Sequence, residues 1–79
     1  MKNYTDIIRE LREDRDLSQR QIANLLGTTQ QVYSRYEKGE NELPIRHLIT
    51  LCLFYEVSAD YILCIGNNTF KQEKKSFRN

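Results

Sequence analysis

The sequence predicts an all-α fold, a single compact domain of five short helices. Three observations carry this reading. Proline and glycine are scarce, at one and three in 79 residues. Apolar residues recur at a spacing of about 3.6 rather than 2. Three of the apolar stripes follow a Ser or Thr suited to cap a helix: Ser18, Thr29 and Ser58.

Taken in order, Tyr4, Ile7, Ile8 and Leu11 form one stripe and predict a first helix over about 5–15. Asp16 is placed to end it in the left-handed conformation, which Asp tolerates better than most residues. Ser18 and Gln21 form a capping box, with Leu17 and Ile22 at the hydrophobic-staple positions. The second helix then runs through Ile22, Ala23 and Leu26 to Gly27, a suitable left-handed terminator. Thr29 caps a third helix over 30–38, which ends at Gly39. Two helices joined by so short a glycine-containing turn make a helix-turn-helix corner, here about 18–38. A polar loop, Glu40-Asn41-Glu42, leads to Pro44 as first residue of a fourth helix that buries Ile45, Leu48, Leu51, Cys52 and Tyr55. Val57-Ser58 repeats the staple-and-cap pattern with Ile62, and the fifth helix fades near Gly66-Asn67-Asn68. Residues 1–66 are thus expected to be the domain. Residues 67–79 are expected to form a basic tail, flexible or docked as a short helix, with Thr69 and Gln72 as a further capping box.

Composition excludes several functions. The apolar runs 51–55 and 61–65 fall far short of the roughly 18 residues of a membrane span, and no apolar signal segment opens the chain, so a cytoplasmic protein without membrane partners is expected. Cys52 and Cys64 stand apart, with one histidine in the whole chain, and read as reduced core thiols rather than a zinc site. His47 shares the fourth helix with Arg46 and Thr50, without a Cys or carboxylate at ligand spacing, and is expected to be at least partly exposed. No nucleophile elbow, phosphate loop or catalytic pair is visible, so neither an enzyme nor a cofactor is expected. Twelve Lys and Arg face eleven Asp and Glu. Residues 67–79 carry four cations against Glu73 alone, which leaves residues 1–66 with eight cations and ten acids. Binding to phosphate must therefore come from local placement of charge.

The third helix offers such a placement. At about 100° per residue, Tyr33, Tyr36 and Glu37 fall on one side, while Gln30, Gln31, Ser34, Arg35 and Lys38 fall on the other. The outward face holds no acid. Glutamine matches adenine N6 and N7 bidentately, arginine matches guanine O6 and N7, and Lys and Ser suit phosphate. Val32 lies at the margin, within reach of a thymine methyl. On an arbitrary helix two glutamines would merely be solvated. Here they occupy the N-terminal end of the second helix of a tight corner, the part that meets base edges. Tyr33 and Tyr36 read as core rather than as a stacking platform.

The run Leu17-Ser18-Gln19-Arg20-Gln21-Ile22-Ala23-Asn24-Leu25-Leu26-Gly27, followed by Ser34-Arg35-Tyr36-Glu37-Lys38-Gly39, resembles the helix-turn-helix of the lambda-repressor-like (Cro/CI, XRE) family. Leu43-Pro44, Leu48-Ile49, Tyr55 and Val57–Leu63 agree with it, so the similarity covers about 5–66. The resemblance implies that Gln30, Gln31 and Arg35 read bases. It implies backbone or peripheral contacts for Thr29, Val32, Ser34 and Lys38. Gln19 matches a glutamine that touches the DNA backbone and braces a partner in the third helix, and Arg12 and Glu37 match a partly buried ion pair. Asp16 stands where the family usually has glycine. Glu40 and Glu42 occupy a loop that is basic in many relatives, so weak, salt-sensitive binding by a monomer is expected.

Leu53 and Phe54 point away from the core stripe of the fourth helix, and the fifth is apolar nearly all round. Half-exposed apolar side chains are ordinary. The sharper reading is a subunit interface formed by Leu53, Phe54, Tyr61 and Ile65. The expected function is a sequence-specific double-stranded DNA-binding transcriptional regulator, a repressor acting as a homodimer on a palindromic operator. The alternative is a protein-interaction module of the same fold, an antitoxin or adaptor whose partner is a toxin or another regulator.

Overall fold

Four helices begin where a short polar side chain takes over the free N–H groups of the first turn. The computed structural model describes residues 2–65, and among them lie α1 (Tyr4–Asp14), α2 (Gln19–Leu26), α3 (Gln30–Lys38), α4 (Ile45–Tyr55) and α5 (Ala59–Leu63), with no strand. The expected tail at 67–79 lies outside these residues. The Ser18 hydroxyl accepts from the Gln21 N–H at 3.1 Å, and Gln21 Oε1 accepts from the Ser18 N–H at 2.8 Å. Thr29 and Ser58 accept from the N–H groups of Val32 and Tyr61. A capping box that the sequence reading passed over opens α1: Asn3 Oδ1 accepts from the Thr5 N–H, and Asp6 Oδ2 from the Asn3 N–H. The exception is α4. Pro44, expected as its first residue, stays extended at ψ 150° and contributes only its carbonyl, which accepts from His47 and Leu48.

All five described helices end alike. A residue with positive φ reverses the chain, and the next N–H reaches back five residues to close the last turn. These bonds run from Leu17 to Arg12, Thr28 to Ala23, Glu40 to Arg35, Val57 to Cys52 and Ile65 to Asp60, at 2.9–3.1 Å. Glycine supplies the reversal only at Gly27 (φ 73°) and Gly39 (φ 78°); Asp16, Glu56 and Cys64 supply the others. Nothing lies within 4 Å of where a Gly27 Cβ would stand, so glycine is needed there for conformation rather than space. At Cys64 the reversal ends α5 short of the Gly66-Asn67-Asn68 boundary expected from the sequence, and it leaves that thiol exposed rather than in the core.

Every helix gives side chains to one core: Ile7 and Ile8, then Ile22, Ala23 and Leu26, Tyr33 and Tyr36, Leu51 and Tyr55, and Ile62. The phase of α4 differs from expectation. Leu51 and Tyr55 are buried and Leu48 and Cys52 half-buried, but Ile45 is 74% exposed. His47 takes the inward position instead, only 6% exposed, its ring 5.9 Å from that of Tyr36. The inward row is therefore 47, 51 and 55, one face of a helix. Burial, and secondarily the Arg46 charge, lowers the His47 pKa, so the ring is held neutral at neutral pH.

A non-glycine residue in the left-handed region costs about 1 kcal/mol. Asp16→Gly should therefore stabilise the domain by about 0.5–1 kcal/mol in thermal unfolding, and Gly27→Ala should destabilise it by about 1 kcal/mol.

Candidate nucleic-acid interface

The inner side of α3 fixes what its outer side can present. Tyr33 and Tyr36 are buried, their rings 6.3 Å apart and nearly perpendicular. One turn beyond Tyr33 stands Glu37, a carboxylate with 3% side-chain exposure. Burying it unpaired would be costly. Arg12 of α1 meets it as a fork, Nε donating to Oε2 at 2.7 Å and Nη2 to Oε1 at 3.1 Å. Arg12 Nη1 also donates to the Leu17 carbonyl at 2.8 Å, which ties the pair to the entry of α2. Gln19, the first residue of α2, donates from Nε2 to Glu37 Oε1 at 3.0 Å. One carboxylate thus joins three helices.

Burial is the largest single influence on Glu37 and would raise its pKa. The hydrogen bonds and charge it receives, chiefly from Arg12, together outweigh burial, so its pKa lies below the usual glutamate value. The same carboxylate adds to the effect of burial in holding the Tyr33 hydroxyl far above its ordinary pKa. The hydroxyl oxygens of Tyr33 and Tyr55 are buried and make no hydrogen bond among the described residues.

With the inner side fixed, the outer side forms the wall of a shallow concavity. Gln19, Gln30, Gln31, Ser34, Arg35, Lys38 and Glu40 line it, around about 510 Å³ of open space. Gln30, Gln31, Arg35 and Lys38 are exposed and Ser34 half-exposed. Among the described residues Arg35, Lys38 and Glu40 form no ion pair, so their charges face solvent. Of the residues singled out from the sequence, Thr29 caps α3 with its hydroxyl and is exposed at the rim, while Val32 is half-buried against the core. Gln19 braces α3 through Glu37, not through either glutamine. Glu40 lines the concavity, although the sequence reading placed it only in a loop; the reversal at Gly39 turns it back toward the helix face.

The proposed interface residues are not among those that line the concavity. Leu53 is 75% exposed, and Phe54, Tyr61 and Ile65 are exposed as well. Ile45 and Ile49, not singled out beforehand, are exposed at the spacing that aligns them with Leu53 in one ridge along α4.

A pair of helices joined by a tight reversal, the second presenting amides and cations outward, makes a helix-turn-helix corner. A family model described as helix-turn-helix matches residues 8–62, and the chain belongs to that family, of the lambda-repressor-like (Cro/CI, XRE) type. It is 32% identical over 76 residues to the uncharacterized HTH-type transcriptional regulator YobD of Bacillus subtilis, covering 95% of this chain and 68% of that protein. To the phage CTXphi transcriptional repressor RstR of Vibrio cholerae it is 30% identical over 73 residues, covering 92% and 66%. The fold matches the crystal structure of a transcriptional regulator from Listeria innocua with a TM-score of 0.77 at 24% identity, over 92% of this chain and 73% of that one. The chain is accordingly a helix-turn-helix transcriptional regulator whose partner is double-stranded DNA, not an enzyme. No helix among the described residues is long and apolar enough to cross a membrane.

Removing one partner of a buried ion pair strands the other. Arg12→Ala should destabilise the domain by about 3 kcal/mol in chemical denaturation. Because the folded pKa of Glu37 is depressed, its contribution is complete above the unfolded value of about 4.3 and is lost as pH falls through the folded value. Stability should thus drop on acidification below about pH 4.3, and Glu37→Gln should remove part of that slope while lowering stability at neutral pH.

Proposed function

We propose that this regulator is a repressor that reads a palindromic operator as a homodimer, with α3 in the major groove. The observation that carries the reading is the shared concavity: two adjacent glutamines, a serine and two cations face outward from a helix whose other side is locked by Tyr33, Tyr36 and Glu37. In this reading Gln30 and Gln31 contact adenine-containing steps and Arg35 contacts a guanine or a phosphate. Ser34, Lys38 and Thr29 set the register on phosphate, Gln19 meets the backbone near the start of α2, and Val32 lies beside a thymine methyl. Repression is in keeping with the similarity to RstR, itself a phage transcriptional repressor. A cytoplasmic setting, where DNA is met, belongs to the same reading, as does a domain comprising residues 1–66.

One recognition helix reads only a few base pairs, and the described residues carry more acid than base, so a single copy would bind weakly. Pairing through Leu53, Phe54, Tyr61 and Ile65, extended by Ile45 and Ile49, would set two reading helices about 34 Å apart. The exposed ridge of α4 also favours a second reading, in which it receives a different protein, as an antitoxin or adaptor would.

Selection from a random duplex library should return an enriched two-fold motif with adenine-containing half-sites; return of no motif would remove the proposal. Gln31→Ala should cost about 1–3 kcal/mol and relax preference at one position per half-site. Lys38→Ala should weaken all sequences alike and lower the salt slope by about 1 for each bound copy. Sedimentation should give a dimer that Leu53→Asp converts to monomer, whereas a wild-type monomer with and without DNA would exclude the paired arrangement.

A further inference from the structure

We propose that Glu40 is an affinity-setting residue of the DNA-reading face, a carboxylate built into the concavity that opposes the phosphate backbone. The inference rests on the reading of α3 as the groove-facing helix. Three charged side chains line the concavity, Arg35, Lys38 and Glu40, and none is neutralised by an ion pair among the described residues. Their sum is a single positive charge. Glu40 therefore cancels half of the attraction that Arg35 and Lys38 supply, on a body whose own charge is unfavourable.

Its placement is enforced by the backbone. Gly39 at φ 78° reverses the chain, and the Glu40 N–H donates to the Arg35 carbonyl at 2.9 Å, which pins the residue to the last turn of the helix it follows. Glu42, two residues on, has the same charge and is exposed, but it does not line the concavity. The C-terminal end of a recognition helix lies nearer the sugar-phosphate backbone than the base edges. A carboxylate held there meets phosphate, not the cytosine amino group it could otherwise accept from. Its effect is on all sequences alike. Tight binding then requires both the base contacts of the glutamines and a second copy, so isolated or mismatched half-sites are left unoccupied.

The test compares full-length wild type, Glu40→Gln, Glu40→Lys and Glu42→Lys by fluorescence anisotropy over a salt series. One labelled duplex carries the selected motif, and another has the same length and a scrambled sequence. Glu40 and Glu42 are both exposed, so all variants should fold, which circular dichroism checks. Glu40→Gln should bind both duplexes about threefold more tightly at low salt, an advantage that shrinks as salt rises. Glu40→Lys should bind about tenfold more tightly, with a log–log salt slope steeper by about 0.9 for each bound copy, and Glu42→Lys should change the slope by much less. Equal effects at 40 and 42 would overturn the proposal, as would weaker binding by Glu40→Gln confined to the selected duplex. Either result leaves the reading of α3 intact so long as Gln31→Ala relaxes base preference in the same assay. If wild type distinguishes no sequence and Gln31→Ala changes nothing, that reading fails and this inference with it.

Discussion

The carboxylate of Glu37 sits where α1, α2 and α3 meet, and the orientation of the outer face of α3 follows from how it is satisfied. A buried ion pair contributes little net stability compared with apolar side chains of the same volume. Its fork of hydrogen bonds, however, accepts only one arrangement. Arg12 Nε and Nη2 fix two oxygens at 2.7 and 3.1 Å, and Gln19 shares one of them. Rolling α3 by one residue, about 100°, would break all three bonds and turn Ser34 and Lys38 toward the core. The network therefore acts as an angular stop, and Tyr33 and Tyr36 fill the space behind it.

Charge is distributed to the same end. Acids outnumber bases in the domain, yet several bases are paired away from the reading face: Lys2 with Glu10, Arg9 with Asp6 and Arg12 with Glu37. Arg15 lies over the Tyr55 ring at 5.2 Å. Arg35 and Lys38 remain exposed beside the two glutamines, with Glu40 against them. In the reading proposed above, Glu40 holds affinity modest while base-edge chemistry is left to Gln30 and Gln31. None of the exposed apolar residues of α4 lines the concavity, so pairing and reading need not use the same side chains.

Much of this was legible in the sequence because the helix boundaries are written in short-range chemistry. Ser18 with Gln21, Thr29, Ser58, Gly27, Gly39 and even Asp16 behave as their local rules require. The outward face of α3 could be read because its polar and apolar sides contrast. No such contrast exists on α4, where Ile45, Leu48, Ile49, Leu51, Cys52, Leu53 and Phe54 surround the axis. Periodicity cannot set the phase of a helix that is apolar over most of its circumference, and so it places Ile45 inside and His47 outside. The inward turn of His47 depends on Tyr36, a contact between distant segments. Glu56 and Cys64 reverse the chain without a glycine to announce it. The Asn3–Asp6 box is equally legible in the sequence, three residues apart at the start of the first apolar stripe.

The central claim is that the concavity formed by the outer face of α3, together with Gln19 and Glu40, is the surface that meets DNA. Side-chain amide and backbone NMR shifts recorded while a motif-bearing duplex is added test it most directly. The account predicts large changes at Gln19, Gln30, Gln31, Ser34, Arg35 and Lys38, with Tyr33 and Tyr36 moving little. Changes confined to α4 and α5, with the Gln30 and Gln31 amides unmoved, would contradict it.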